Sequence, residues 1–140
     1  MRRDFEIFTD DASFLDARKY IWETIKDSTN NNNCWVLIHD YPIPIGYNVN
    51  SATAAILLSP ANYLHSGIDM VYFNPHLSRS DGVMIKQIDG RMVIEGSSYQ
   101  QWSRHRQGDP WTVGNDSLIT HLSLVDYWLA REFQSQELRS

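Results

Sequence analysis

The sequence predicts an α+β fold: an N-terminal helix, an antiparallel β-meander with an extra hairpin, a long irregular segment and a C-terminal helix. Three observations carry that expectation. Apolar residues recur at helical spacing near both ends, short β-branched and aliphatic runs crowd the middle, and an Asp-Gly dipeptide separates two of those runs. With 140 residues, 42% of them hydrophobic, the chain lies in the usual size range of one domain and can bury a core without disulfides or metal. One domain spanning 1–140 is expected.

From about Asp11 to Lys26, Phe14, Leu15, Tyr20, Ile21, Trp22 and Ile25 recur at spacings of three, four and seven, as one face of a helix requires. Asp10 or Asp11 can cap it. The polar run Ser28-Thr29-Asn30-Asn31-Asn32-Asn33 breaks the period and reads as a loop. Cys34 to Ile38 and Ser51 to Leu58 read as strands, separated by Tyr41-Pro42-Ile43-Pro44-Ile45-Gly46-Tyr47-Asn48, whose prolines interrupt pairing. Met70 to Phe73 makes a third strand before Pro75, and short strands in such close succession favour an antiparallel meander. Val83 to Ile88 and Arg91 to Ile94 flank Asp89-Gly90, a dipeptide suited to the positive φ angles of a type I′ turn, and form the extra hairpin. After an irregular stretch, Asn115 or Asp116 caps a helix whose stripe is Leu118, Ile119, Leu122, Val125, Trp128, Leu129 and Phe133. The polar tail from Gln134 to Ser140 is expected to fray.

Composition narrows the function. Net charge is −5 with both signs interspersed, and no run of Lys or Arg can track a phosphate backbone, so nucleic acid is not an expected partner. No stretch approaches the roughly 20 apolar residues of a membrane span, and Met1-Arg2-Arg3-Asp4-Phe5 lacks the apolar core of a signal peptide. No membrane partner is expected, and a cytoplasmic protein is. The single cysteine, Cys34, excludes an internal disulfide and a cysteine-rich zinc site. Its neighbours Trp35-Val36-Leu37-Ile38 mark it as a small core residue rather than a nucleophile. His39, His65 and His76 have no metal-ligand spacing, His121 beside Leu122 on the last helix reads as structural or exposed, and no metal or cofactor is expected.

Several local strings carry a resemblance. Leu58 to Tyr63 followed by Asp69 to Phe73 looks like the stretch of the ubiquitin-conjugating fold that leads from one strand through a Pro/Tyr loop into the next. More specific are PIPIGYN from Pro42 to Asn48, WSRH from Trp102 to His105, and PWTVGNDSLITHLSLVDYWL from Pro110 to Leu129. Together they resemble prokaryotic ubiquitin-conjugating enzyme family E, from about residue 9 to residue 133. In ordinary members of that fold the catalytic cysteine lies eight residues before a tryptophan that opens a Trp-x-Pro element. Here eight residues before Trp111 stands Ser103, and Cys34 lies about seventy residues too early. The chain departs from the pattern in three ways: Trp111-Thr112-Val113 lacks the proline, no His-Pro-Asn tripeptide precedes the site, and Phe73 to Ser103 is longer than usual.

The resemblance implies an enzyme that takes the C-terminal acyl group of a ubiquitin-like protein from an activating enzyme and passes it to an amine of a target protein. Ser103 would hold the group as an oxyester. A neutral hydroxyl is a poorer nucleophile than a thiolate and needs a base, for which His105 is the candidate, the other reading of it being an exposed histidine in a polar loop. Transfer from a thioester onto serine runs downhill, so discharge is the difficult step. The missing Asn, held to support the oxyanion in ordinary members, calls for another donor. Backbone N–H groups beside Ser103, or the side chains of Ser97, Ser98 and Gln100, are the alternatives. Trp102 and Trp111 read as packing residues that fix the active-site segment, and Arg104 and Arg106 as solvated loop charges or contacts to acidic groups of a partner. By analogy with the fold, the first helix is where the activating enzyme docks, and its exposed Asp16, Arg18, Lys19 and Glu23 are either part of that contact or a solvated face. Family membership also implies a bacterial operon with an activating enzyme and a ubiquitin-like protein, and a role in defence against phage.

The competing reading is a catalytically inactive, conjugating-enzyme-like binding module for the activating enzyme and ubiquitin-like protein, suggested by loss of both Cys and Asn. A free-standing serine hydrolase fits less well. There is no Gly-x-Ser-x-Gly elbow, and no acid is identifiable to orient His105.

Overall fold

A computed structural model describes residues 1–59, 63–104 and 110–139. Helix α1 (Thr9–Ala17) precedes β1 (Ile21–Asp27), β2 (Asn33–Pro42) and β3 (Ser51–Leu58). The short helix α2 (Tyr63–Ser66), then β4 (Val71–Asn74), β5 (Arg91–Ile94), β6 (Ser97–Trp102) and the long helix α3 (Leu118–Arg139) complete the chain. All six strands form one antiparallel sheet in the order β1-β2-β3-β4-β6-β5. The expected α+β arrangement with a helix at each end is therefore present.

The first helix is half the length its periodicity suggests. It stops at Ala17, Lys19 turns the chain with φ 59°, and Ile21 onward enters β1. Tyr20, Ile21, Trp22 and Ile25 satisfy helical spacing, but they are β-branched or aromatic and fit a pleated surface equally well. Pairing with β2 decides the matter: Trp22 packs into one core and Ile25 into another, on opposite faces of the sheet.

The hairpin also forms elsewhere than Asp89-Gly90. Its turn is Glu95-Gly96, with φ of 47° and 86°, joining β5 to β6. Residues 83–88 form no strand. They run beside the end of β6, where Gln87 O accepts Ser103 N–H at 3.0 Å and Gly90 O accepts Gln101 N–H at 2.9 Å. Ser97 to Trp102, too polar to read as a strand, instead becomes an internal one, paired with β4 on one side and β5 on the other. Strand β2 continues through Tyr41 to Pro42 across an irregularity after Ile38, so the proline corner begins later than expected. Cys34 on β2 is half-buried rather than a core residue, its Sγ 3.6 Å from Asn32 O.

Helix α3 starts on Ser117 rather than Asn115 or Asp116. Ser117 Oγ accepts the Ile119 N–H at 3.2 Å and Thr120 Oγ1 accepts the Ser117 N–H at 3.0 Å, a reciprocal cap. Asp116 instead accepts from Thr112 N–H at 2.8 Å, bracing the segment before the helix. The helix runs to Arg139, through the tail expected to fray. Its apolar face, Leu118, Leu122, Val125, Trp128 and Leu129, closes the main core against the sheet. Tyr41 donates its hydroxyl proton to the Asp126 carboxylate, with Leu122 O 3.4 Å away, and Tyr47 donates its own to Leu129 O at 2.6 Å, tying the sheet to the helix. A second core on the opposite face collects Ile25, Trp35, Leu37, Ala55, Tyr72, Ile94 and Tyr99, from all six strands. Among the described residues, no helix is long and apolar enough to cross a membrane.

Candidate active site

Strand β6 positions the site. Trp102 pairs with Val71, so Ser103 is one residue past the last rung, opposite Met70. Side chains alternate along a strand, which sends Trp102 to one face and Gln101 with Ser103 to the other. Trp102 is fully buried in the main core, edge-on to Phe73 with ring centroids 5.6 Å apart. Its indole N–H donates to Gln100 Oε1 at 2.9 Å, and Gln100 also exchanges two bonds with the backbone of Leu77. The anchor beneath the site is thus a buried polar unit with every partner supplied from within the chain.

Ser103 itself is half-buried. Its backbone N–H is taken by Gln87 O, and the next one, from Arg104, bonds to Trp102 O at 2.9 Å. Its Oγ accepts a hydrogen bond from Gln101 Nε2 at 3.1 Å, and that same nitrogen lies 3.5 Å from Met70 Sδ. The candidate oxyanion donors from sequence thereby separate. The N–H groups of Ser103 and Arg104 are occupied, Gln100 is committed to Leu77 and Trp102, and Ser98 Oγ lies 3.2 Å from His76 Nε2. Ser97 is exposed at the hairpin turn. The amide that reaches Ser103 belongs to Gln101, which sequence reasoning passed over. Two-residue alternation would have found it, had the polar run been read as a strand.

The other members of the segment divide. His105 and Arg106 lie outside the described residues. Arg104 does not reach into solvent. Its guanidinium donates to Lys86 O at 3.0 Å, approaches Glu132 Oε2 at 3.5 Å and lies over the Trp102 ring, 4.8 Å from its centroid. Burial pulls its pKa below the ordinary arginine value, and the Glu132 carboxylate opposes that shift. Trp111 is part-buried and donates its indole N–H to Leu64 O in α2 at 2.8 Å, so it fastens the far end of the segment to that helix. His121 is fully buried with Nε2 2.8 Å from Met70 O, which makes that nitrogen the protonated one. Among the described residues no group of three or more His, Cys, Asp or Glu could hold a metal ion.

The arrangement offers a half-buried serine at a strand end, an amide donor on its oxygen and an adjacent arginine pinned to Lys86 O and Glu132. The family model for prokaryotic E2 family E matches residues 7–132, from just before α1 into the second half of α3. No curated protein and no solved structure matches the chain. The family match spans the first helix, the six strands, the Ser103 segment and α3 as far as residue 132, and on that extent the chain belongs to prokaryotic E2 family E.

Proposed function

We propose that this conjugating-enzyme-like protein, on a ubiquitin-conjugating-like fold, works in a bacterial ubiquitination-like pathway. Ser103 accepts the acyl group of a ubiquitin-like protein from an activating enzyme and gives it to an amine of a target protein. The observation that carries the reading is the state of Ser103: a half-buried serine, eight residues before Trp111, whose Oγ accepts a hydrogen bond from an amide donor. Attack of Oγ on the thioester carbonyl passes the hydroxyl proton to a base, expels the activating enzyme's thiolate and leaves an oxyester. The proposed base is His105. Of the residues proposed for docking the activating enzyme, Asp16 and Arg18 lie on or just after α1, and Asp16 accepts the Trp22 indole N–H at 2.8 Å. Glu23 belongs to β1 and bonds His39, so it leaves that surface.

The second reading, an inactive binding module, draws support from the occupied backbone N–H groups of Ser103 and Arg104, which are not free for an oxyanion. One experiment separates the two. The chain is incubated with its activating enzyme, ubiquitin-like partner and ATP, and a covalent adduct is sought by denaturing gel and intact mass. The expected adduct survives thiol reductant, yields to hydroxylamine or alkali, and disappears in Ser103→Ala. No adduct, with a demonstrably active activating enzyme, would establish the binding module instead.

A further inference from the structure

Discharge of an oxyester is harder than discharge of a thioester because of what must leave. A thiolate derives from an acid of pKa about 8.5, whereas a serine alkoxide is far more basic and departs only with help on its oxygen. Among the described residues, one hydrogen bond reaches that oxygen, from Gln101 Nε2 at 3.1 Å. We infer that Gln101 is a catalytic residue of the discharge step, donating its amide N–H to Ser103 Oγ as that oxygen becomes the leaving group. The inference rests on the reading of Ser103 as the acyl carrier.

The amide is held in place from two directions. Gln101 N–H bonds to Gly90 O at 2.9 Å, fixing the backbone, and its side chain lies directly on Gly90. A Cβ at position 90 would come within 2.9 Å of Gln101 Oε1 and 3.0 Å of its Cδ. The segment 87–90 thus forms a seat that only glycine leaves open at its last position, and the seat aims Nε2 along the strand at Ser103. An amide N–H is too weak an acid to give up its proton, so its part is a hydrogen bond that strengthens as charge grows on Oγ. In the balanced step the amine nitrogen of a lysine forms a bond to the acyl carbon. The C–Oγ bond breaks with its electron pair going to Oγ, and a proton lost by the amine returns to Oγ through solvent or base. The same bond assists the reverse event, attack by Oγ, so loading also gains, but a thiolate leaves there and the demand is smaller.

The test isolates the adduct from the loading reaction and chases it with free lysine in single turnover. Gln101→Met should slow the chase about 10- to 100-fold, the worth of one hydrogen bond to a charged group. Combined with Ser103→Cys, where a thiolate leaves, the same change should alter the chase by no more than about threefold. Gly90→Ala keeps the glutamine and displaces only its amide, and it should reproduce the serine-specific loss in milder form should Gln101→Met not fold. Equal slowing with serine and cysteine would reveal a merely structural role and overturn the inference. Unchanged discharge from the serine adduct would overturn it too, while leaving Ser103 as the carrier. Absence of any adduct on the unaltered chain would overturn the Ser103 reading and the role of Gln101 with it.

Discussion

Asp11, which the sequence offers as a helix cap, is buried in the first turn of α1 and accepts a hydrogen bond from the Tyr63 hydroxyl of α2. The residue before the helix is Phe8, and no side chain caps it. A carboxylate in a first turn is ordinarily favoured by the helix dipole. Burial outweighs that here: it pushes Asp11 up to about 6, with the neighbouring charge of Asp10 adding to it. The consequence for stability has a definite sign. Below about pH 4 the group is protonated in both folded and unfolded chains and contributes nothing. Between about 4 and 6 the unfolded chain releases the proton first, so stability falls as pH rises, and above that it levels off about 2–3 kcal/mol lower. Asp11→Asn keeps an oxygen for Tyr63 and removes the titration. Urea unfolding from pH 4 to 8 should show the variant gaining on the unaltered chain across that window, and a pH-independent difference would refute the burial argument.

At the scale of elements, two turns share a glycine with positive φ but differ in what surrounds them. Gly96 in the β5–β6 turn has φ 86° and open space where a Cβ would stand. Gly46, in the corner between β2 and β3, has φ 115°, and a Cβ there would come within 2.5 Å of the Phe133 ring on α3. Gly96→Ala should therefore cost only the left-handed backbone term, about 1 kcal/mol. Gly46→Ala adds overpacking and should cost about 3 kcal/mol. Denaturant midpoints compare them directly, and equal costs would mean the corner yields. The same two turns show what the chain order made legible. PIPIGYN announced a corner because proline and glycine act locally, and the stripe of α3 announced its helix because seven apolar residues keep one period. The start of β1 misled because Tyr20 to Ile25 fits both periods and only its pairing with β2 chooses. Strand β6 stayed hidden because Ser97, Ser98, Gln100 and Gln101 draw strand character from neighbours on both sides rather than from β propensity. The candidate site divides along that line. Ser103 and Trp111 became candidates only through the spacing that the family resemblance implies, whereas Gln101 needed the strand.

In the molecule as a whole, the sheet's two edges meet. An edge strand left open is a template for pairing with other chains, and β1 is covered by the N-terminal segment, with Asp4 N–H bonded to Thr24 O and Thr24 N–H to Arg2 O. Arg2 also pairs with Glu95 in the β5–β6 turn, and Asn30 Nδ2 reaches Val93 O of β5 at 3.3 Å. At the centre of this junction Asp27, fully buried at the end of β1, accepts from the N–H of Glu95 at 3.0 Å, from Thr29 N–H at 3.0 Å and from Thr29 Oγ1 at 2.6 Å. These bonds hold its carboxyl below the usual aspartate range, the Thr29 hydroxyl contributing most. The stability they supply is present above the ordinary aspartate pKa and is lost as pH falls through the lower folded value. Because the second core is shared by every strand, the junction closes Ile94 and Tyr99 over Trp35 and Tyr72 rather than joining two independent parts. Asp27→Ala would leave those donors without their acceptor and should cost about 2–3 kcal/mol at neutral pH. The loss should shrink toward pH 2, where the unaltered chain also loses its carboxylate. Hydrogen exchange locates the effect: amides of β5 and β6 should open first in the variant, while those where β2 pairs with β3 keep their protection, since that pairing does not pass through the junction. If exchange rises uniformly instead, the hairpin and the remaining sheet open as one unit, and the edge contact is no separate latch.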